Sequence, residues 1–205
     1  MTPGPKTRGD FPYKILAGLL IAALAVVFVG FCGKNCEVTS ADAYPEHSVE
    51  EVAAAMVSLC AGSYAHPVTS DVNYRLTVAR AIHDAAQATA NPPLFLTAVF
   101  FRESSLRMSA VGKLGEVGLG QVGKQGAEKC RAENLNLDTP DGQALCAARK
   151  LASCRAACGG SLVRGFTLYA TGRTCDADSE AVKRIVRNRF TLWESLEAAA
   201  SGGNS

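Results

Sequence analysis

One carboxylate in the sequence is a candidate for acid–base chemistry because of the residues that precede it. Glu103 follows a run, residues 94–101, in which Thr97 is the one side chain that is not apolar. Apolar surroundings disfavour the charged form of a carboxyl group, and a general acid for a glycosidic bond needs a carboxyl that keeps its proton near neutral pH. A Glu at a helix end is usually an ordinary surface residue, so Glu103 alone is a weak indication of a site.

Helical signals surround Glu103. Asn91 followed by Pro92 is typical of an N-cap with proline at the first helical position, which predicts a helix from Pro92 to about Glu103. This helix is apolar on nearly every face, so we expect it at the centre of a small domain. No stretch alternates with the two-residue period of a strand, and the sequence therefore predicts an all-α fold. Further helices are expected to begin at Ser48, at Ser70 or Asp71, near Glu128, at Thr139-Pro140, at Ser161 and at Ser179.

The composition excludes two broad classes of protein. A hydrophobic fraction of 48% and a net charge of +2 are unlike a disordered chain. Because 21 Lys and Arg residues are nearly balanced by 19 Asp and Glu residues, no nucleic-acid partner is expected. The sequence has no phosphate-binding glycine loop and no metal-ligand cluster, so we expect no cofactor and no metal. His47, His66 and His83 are expected to be surface or capping residues.

The motifs around Glu103 resemble, in order and spacing, those of the lytic transglycosylases of the soluble-lytic type. The box Gly118-Leu119-Gly120-Gln121 ends eighteen residues after Glu103, which is the usual step in that family. Upstream, Asn91-Pro92-Pro93-Leu94 is similar to the family's Pro-x-Leu helix. Downstream, Leu168-Tyr169-Ala170-Thr171-Gly172 is similar to its Ala-Tyr-Asn-Ala-Gly box. The resemblance covers about residues 75–190.

The resemblance implies a lysozyme-like helical fold that cleaves peptidoglycan between N-acetylmuramic acid and N-acetylglucosamine. Glu103 would protonate the leaving oxygen and then act as base on the muramyl C6 hydroxyl, giving a 1,6-anhydro product. The nucleophile then belongs to the substrate, whereas two-carboxylate glycosidases need a second carboxylate. The resemblance also implies roles for other residues by their positions. Tyr169 would form a hydrogen bond to Glu103, and Ser104 would orient the acid. In the substrate-binding box, Gln121 would contact sugar, Gly118 would let the backbone approach the substrate closely, and Leu119 would be a further member.

Three positions depart from the family pattern. Gly120 stands where Met is usual, which is expected to remove a side chain from the cleft wall, and Ala170 stands where Asn is usual. Glu116 stands where Ala is common, and it is expected to be either a solvated loop charge or a second carboxylate facing the cleft. Two other functions stay open: a goose-type lysozyme that hydrolyses the bond, and an inactive peptidoglycan-binding or secretion-system scaffold. A bacterial and a phage-encoded wall enzyme both fit the sequence.

Six of the eight cysteines follow residue 43, and an even number in an exported domain predicts disulfides. Three of the six share one face of one predicted helix. Cys146 and Cys154 are about 12 Å apart along that helix, beyond disulfide reach, so we expect the helix cysteines to pair with cysteines outside it. Reduced, buried thiols are the alternative. The six possible pairings join Cys146, Cys154 and Cys158 to Cys60, Cys130 and Cys175.

The N-terminal region is expected to direct the chain to the membrane. Residues 15–31 are seventeen consecutive apolar residues, preceded by a basic segment. As a helix they span about 25 Å, close to a bilayer core, and the basic flank stays cytoplasmic. We expect an inner-membrane anchor with the catalytic domain in the periplasm, or else secretion after signal cleavage near Ala43. The expected organisation is a cytoplasmic basic segment 1–14, an anchor or uncleaved signal 15–32, a linker 33–47, a lysozyme-like domain 48–198 and a disordered tail 199–205.

Overall fold

The structure, a computed structural model, describes residues 44–62 and 65–202. The expected membrane or signal segment, the linker up to residue 43 and the last three residues of the tail lie outside the described residues. Within the described ranges, no helix is both long and apolar enough to cross a membrane.

Every regular element in the described ranges is a helix, which confirms the prediction of a mainly helical fold. Two isolated antiparallel bridges, Val111–Val117 and Val117–Val122, shape the loop between the fourth and fifth helices. The helices are α1 Val49–Cys60, α2 Pro67–Ser70, α3 Val72–Thr89, α4 Pro93–Ser104, α5 Lys124–Ala132, α6 Pro140–Ala157, α7 Leu162–Thr171 and α8 Glu180–Gly202.

Side-chain caps set where several of these helices begin. Ser48 and Glu51 form the expected capping box of α1, and its hydrogen bonds hold the pKa of Glu51 below its usual value. Of the two candidates for the cap of α3, the structure uses Asp71, which accepts from the Tyr74 amide at 3.0 Å. The expected cap of α4 is wrong. Pro92 is its N-cap, while the Asn91 amide is buried and donates to the Ala148 carbonyl of α6 at 3.1 Å.

Helix α4 is the centre of the core, as its sequence predicts. Every residue of α4 as far as Phe100 is buried. Phe95 makes ring contacts with Phe166 of α7 and with Phe190 and Trp193 of α8, at centroid distances of 4.9–5.8 Å. The helix that carries Glu103 in its last turn is therefore fixed on several sides by aromatic packing.

The first described residues pack on helix α8. The Tyr44 ring meets the Trp193 ring edge-on at 6.2 Å. His47 is buried rather than exposed, and its Nε2 lies 2.7 Å from Glu197 Oε2. The other oxygen of Glu197 accepts from Trp193 Nε1 at 2.6 Å. Two contacts thus join the N-terminal end of the domain to its last helix.

Within residues 44–62 and 65–202, the six cysteines form two disulfides, not three. Cys130–Cys146 joins α5 to α6, and Cys158–Cys175 joins the end of α6 to the segment before α8. Cys60 and Cys154 are free thiols, so the expected third pair is wrong. They have different surroundings, because Cys60 lies near Arg107 and Cys154 near Lys150. Burial raises the pKa of both thiols, which makes them weak nucleophiles.

The C-terminal helix is longer than expected. Helix α8 continues past residue 198 to Gly202, although a disordered tail is expected from residue 199. The reason is local, since residues 197–200 are Glu-Ala-Ala-Ala and these residues favour helix.

Candidate active site

Glu103 lies in the last turn of α4 and forms an ion pair with a residue of the last helix. Its Oε1 accepts from Arg189 Nη2 at 3.0 Å, and the two side chains are 24% and 15% exposed. The surroundings of Glu103 therefore include the apolar helix that the sequence predicts and also a charged side chain of α8.

The motifs do not point to Arg189 as a site residue, although the sequence of α8 contains a signal for it. The apolar residues of α8 at 182, 186, 190 and 193 form a stripe that packs on the core. Arg189 is one turn after Val186 and one turn before Trp193, so it is a charged residue on the packed side of the helix. A charge in that position needs a buried or half-buried partner.

The backbone turns sharply immediately after α4. Ser105 and Leu106 have φ values of 54° and 59°, a left-handed conformation that is unfavourable for residues other than glycine. His66 Nε2 lies 2.6 Å from the Ser105 carbonyl oxygen, which requires a proton on Nε2. Tyr74 donates its hydroxyl proton to the Leu106 carbonyl at 2.8 Å. These two bonds stabilise the strained turn next to Glu103. His66 is also the N-cap of α2, in agreement with the expectation of a capping role for this residue.

Ser104 does not orient the acid in this structure. Its side chain is buried, and its hydroxyl donates to the Phe100 carbonyl at 3.0 Å, one turn back in the same helix. The Ser104 hydroxyl is thus used in a bond within α4 and not in a bond to Glu103, which is the role that the resemblance implied.

The glycine box is held in place by a glutamine of α6. The Gln143 carbonyl oxygen accepts from the Leu119 amide at 3.0 Å, and its amide donates to the carbonyls of Met108 and Leu137 at 3.2 and 2.9 Å. Gly118 has φ +75°, and a Cβ there would lie under 3.0 Å from Gln143 Oε1. The motifs do not point to Gln143, although it is the one polar side chain in the buried segment 142–148.

Two residues of the box serve the protein interior. Leu119 is completely buried in the core, so the expectation that it contacts substrate is wrong. Gln121 is partly buried, and its amide donates to the carbonyls of Ala110 and Gly118 at 3.2 and 3.0 Å. Both bonds brace the loop, which leaves the side-chain oxygen of Gln121 for any contact with sugar.

Glu116 belongs to the same loop. Its Oε2 accepts from the Leu114 amide at 3.0 Å, two residues back in the chain. Glu116 is therefore a charged loop residue bonded within its own turn. This agrees with the expectation of a loop charge and not with that of a second carboxylate facing the cleft.

Tyr169 is buried against the box and bonds to it instead of to Glu103. Its hydroxyl donates to the Gly120 carbonyl at 2.7 Å. Burial raises the pKa of Tyr169, and the charges of Glu103 and Cys154 raise it further, so the phenol stays protonated. The hydrogen bond to Glu103 that the resemblance implied is absent here, although the two side chains are close enough to interact electrostatically.

Gly120 does not leave a gap in the wall of the site. A Cβ at this position would lie under 3.0 Å from the Ala147 Cβ, and 3.1 Å from both Phe100 Cε1 and Tyr169 Oη. Helix α6 therefore occupies the space into which a side chain at residue 120 would extend. Ala170, the other departure, is exposed on α7.

These residues lie in a segment that matches a known domain family. The model of the family described as Transglycosylase SLT domain matches residues 80–188, just over half of the 205-residue chain. The match includes Glu103, the box at 118–121 and Tyr169, and it ends one residue before Arg189. No curated protein sequence matches the chain significantly. Within the described residues, no group of three His, Cys, Asp or Glu side chains is arranged to hold a metal ion.

Proposed function

The chain belongs to the transglycosylase SLT domain family, and on this premise we propose that it is a peptidoglycan lytic transglycosylase in which Glu103 is the single acid and base. The family indicates lytic transglycosylase-type degradation of peptidoglycan. The proposal adds the bond that is cut, the residue that cuts it and the anhydro product.

The observation that carries this proposal is the grouping of the family motifs around one half-buried carboxylate. Glu103 lies in the last turn of the buried helix α4, and its charge acts on the Tyr169 phenol, which is bonded to Gly120 of the box. The neighbouring candidate carboxylate, Glu116, is bonded to the Leu114 amide of its own loop. This arrangement supports a reaction that needs one carboxylate at the scissile bond.

In the proposed reaction, the proton on Glu103 passes to the glycosidic oxygen as the bond from C1 of N-acetylmuramic acid to that oxygen breaks. The C6 hydroxyl of the same sugar then attacks C1, and its proton passes to the Glu103 carboxylate. The products are a free N-acetylglucosamine 4-hydroxyl and a 1,6-anhydro-N-acetylmuramic acid. Glu103 ends protonated, as it began, and no water is consumed.

The test is product analysis by mass spectrometry on purified cell-wall sacculi with the wild-type chain, Glu103→Gln and Glu116→Gln. We expect anhydro-muropeptides from the wild type and from Glu116→Gln. With Glu103→Gln the rate should fall by at least about 10²-fold, because general acid–base catalysis contributes that much or more. Glu116→Gln is the matched control, since it removes a loop carboxylate by the same change of one atom. Equal melting temperatures establish that all three proteins are folded.

Three outcomes contradict the proposal in different ways. Products with reducing ends and one added water identify a goose-type hydrolase. Sacculus binding without any product from the wild type identifies an inactive scaffold. Full turnover by Glu103→Gln removes Glu103 from the role of acid.

We also propose that the domain works outside the cytoplasm, in the periplasm, held by residues 15–32 or released after cleavage near Ala43. The two disulfides support this, because disulfides persist in oxidising compartments. Cell fractionation, with the mass of the mature N-terminus, tests the proposal. A cytoplasmic protein with all thiols reduced contradicts it.

A further inference from the structure

A cavity of about 400 Å³ opens beside the turn that follows α4. Helices α2 and α3 form one side of it, and the segment 107–109 forms the other side. Its wall residues are Ala65, Pro67, Tyr74, Arg107, Met108 and Ser109. The proposed reaction assigns no role to this cavity.

The backbone brings the cavity close to the proposed acid. The Arg107 amide donates to the Ser104 carbonyl at 3.2 Å, so Arg107 lies immediately beside the last turn of α4. The Tyr74 hydroxyl, which donates to the Leu106 carbonyl, also accepts from the Met108 amide at 3.2 Å. Left-handed turns of this kind cost free energy, and they concentrate at functional sites. Here the turn places Arg107 in the cavity wall.

Arg107 is the charged residue of this wall, and its charge is available for a ligand. The side chain is exposed, and among the described residues it makes no hydrogen bond or ion pair. The six wall residues include no Asp or Glu, and the Ser109 hydroxyl is a second exposed donor. The carboxylate of Asp71, at the start of α3, already accepts from the Tyr74 amide. A planar guanidinium with free N–H groups suits a carboxylate, so the cavity has the chemistry of a carboxylate site.

We propose that this cavity binds a carboxylate of the peptide stem of peptidoglycan and that Arg107 recognises it. The inference rests on the proposed function, because it names a further part of the substrate of the same site. The stem begins on the lactyl group of the N-acetylmuramic acid whose C1 is attacked, so it starts within one sugar ring of Glu103. Four residues of chain span at most about 14 Å, which places Arg107 within reach of such a stem.

The intact polymer offers one source of this anion. The lactyl carboxyl is bonded to the stem as an amide and carries no charge. The sugar rings carry hydroxyl and acetamido groups, which are neutral. A carboxylate that reaches Arg107 therefore belongs to the peptide.

The test compares two preparations of soluble, uncrosslinked peptidoglycan strands. One has free stem carboxyls, and in the other the same carboxyls are amidated with ammonia. The proteins are the full chain as wild type, Arg107→Gln, Arg107→Glu and Arg80→Gln. Arg80 is exposed on α3 and is not a wall residue, so its substitution is the matched control for the loss of one positive charge. Equal melting temperatures establish that all four proteins are folded.

We expect the wild type to have a kcat/KM about tenfold higher on the free-carboxyl strands, since one charge-assisted hydrogen bond contributes about this factor. The difference should lie in KM, because the stem is remote from the reacting atoms. Arg107→Gln should lose this preference, Arg107→Glu should prefer the amidated strands, and Arg80→Gln should behave as the wild type. If Arg107→Gln keeps the preference, or lowers kcat/KM by the same factor on both strands, the assignment of the cavity is wrong.

A second measurement is independent of activity. In ¹⁵N-labelled protein, the Nε signal of Arg107 is the one that disappears in Arg107→Gln. We expect this signal to shift when N-acetylmuramyl tripeptide with free carboxyls is added, and to stay in place with the fully amidated compound. Equal shifts with the two compounds, or no shift with either, would overturn the inference.

The outcomes separate this inference from the proposed function. If the wild type makes anhydro products equally well from both strands and the Arg107 signal does not move, the stem site is wrong and the reaction stands. If the signal moves only with the free carboxyls but neither strand gives an anhydro product, the stem site stands and the proposed function is wrong.

Discussion

Substituting Gly120 by alanine tests the close contact between the glycine box and helix α6. The new Cβ would lie under 3.0 Å from the Ala147 Cβ, whereas carbon atoms in contact prefer about 3.5–4.0 Å. The two atoms must separate by more than about 0.5 Å, and Phe100 and Tyr169, at 3.1 Å, leave little room for that movement. We expect Gly120→Ala to lower the free energy of unfolding by about 1–3 kcal/mol, the usual cost of overpacking.

The variant Ala147→Gly isolates the cause of this loss, because it removes the Ala147 Cβ that the new Cβ at residue 120 would contact. Alone, Ala147→Gly should cost about 1 kcal/mol in helix propensity and about 0.8 kcal/mol in buried methyl surface. Independent effects would make the double variant about 3–5 kcal/mol less stable than the wild type. If Ala147→Gly relieves the contact, the double variant should be only about 2–3 kcal/mol less stable than the wild type. The two substitutions would then have a favourable coupling energy of about 1–2 kcal/mol.

The assay is urea unfolding of the wild type, the two single variants and the double variant. Gly62→Ala is the matched control, because an added Cβ there meets nothing within 4 Å, and it should change the stability by less than about 1 kcal/mol. Additive effects, within about 0.5 kcal/mol, would refute the contact between residues 120 and 147 as the cause.

Two further predictions concern stability. The variant Gln143→Leu leaves the backbone groups of Leu119, Met108 and Leu137 without their side-chain hydrogen bonds. We therefore expect the free energy of unfolding in urea to fall by at least about 3 kcal/mol. A fall below about 1 kcal/mol would contradict the bracing role of Gln143. The double variant Cys158→Ser, Cys175→Ser opens a loop with a sequence separation of 17, and we expect its free energy of unfolding in guanidinium to fall by about 3 kcal/mol. Cys154→Ser replaces a free thiol and should lower this free energy much less. Equal losses would contradict the pairing of Cys158 with Cys175.

The sequence predicts the parts of this domain that depend on local chemistry. The apolar character of α4, the capping box at Ser48 and the cap at Ser161 are written in neighbouring residues, and the structure has all three. The position of Glu103 at the end of α4 follows from the same signals.

The parts that the sequence does not predict depend on how the helices pack. The partner of Glu103 comes from α8, the partner of Tyr169 is a backbone carbonyl, and Asn91 bonds to α6 instead of capping α4. Spacing along one segment carries no information on such contacts, because they arise only when distant helices meet. The same holds for the cysteines. The hypothesis that the helix cysteines pair with cysteines outside the helix leaves six pairings, and packing decides which bonds form.

The contacts of Tyr44 and His47 with α8 have a mechanical consequence. Tension applied to the chain ahead of Tyr44 is carried first by Trp193 and Glu197. Trp193 is one helical turn from Arg189 and Glu197 is two turns away, on the same rigid rod. A pull on the N-terminal end of the domain is therefore delivered to the helix that bonds the carboxylate of Glu103, so that force at this end and the ion pair of Glu103 share one mechanical element.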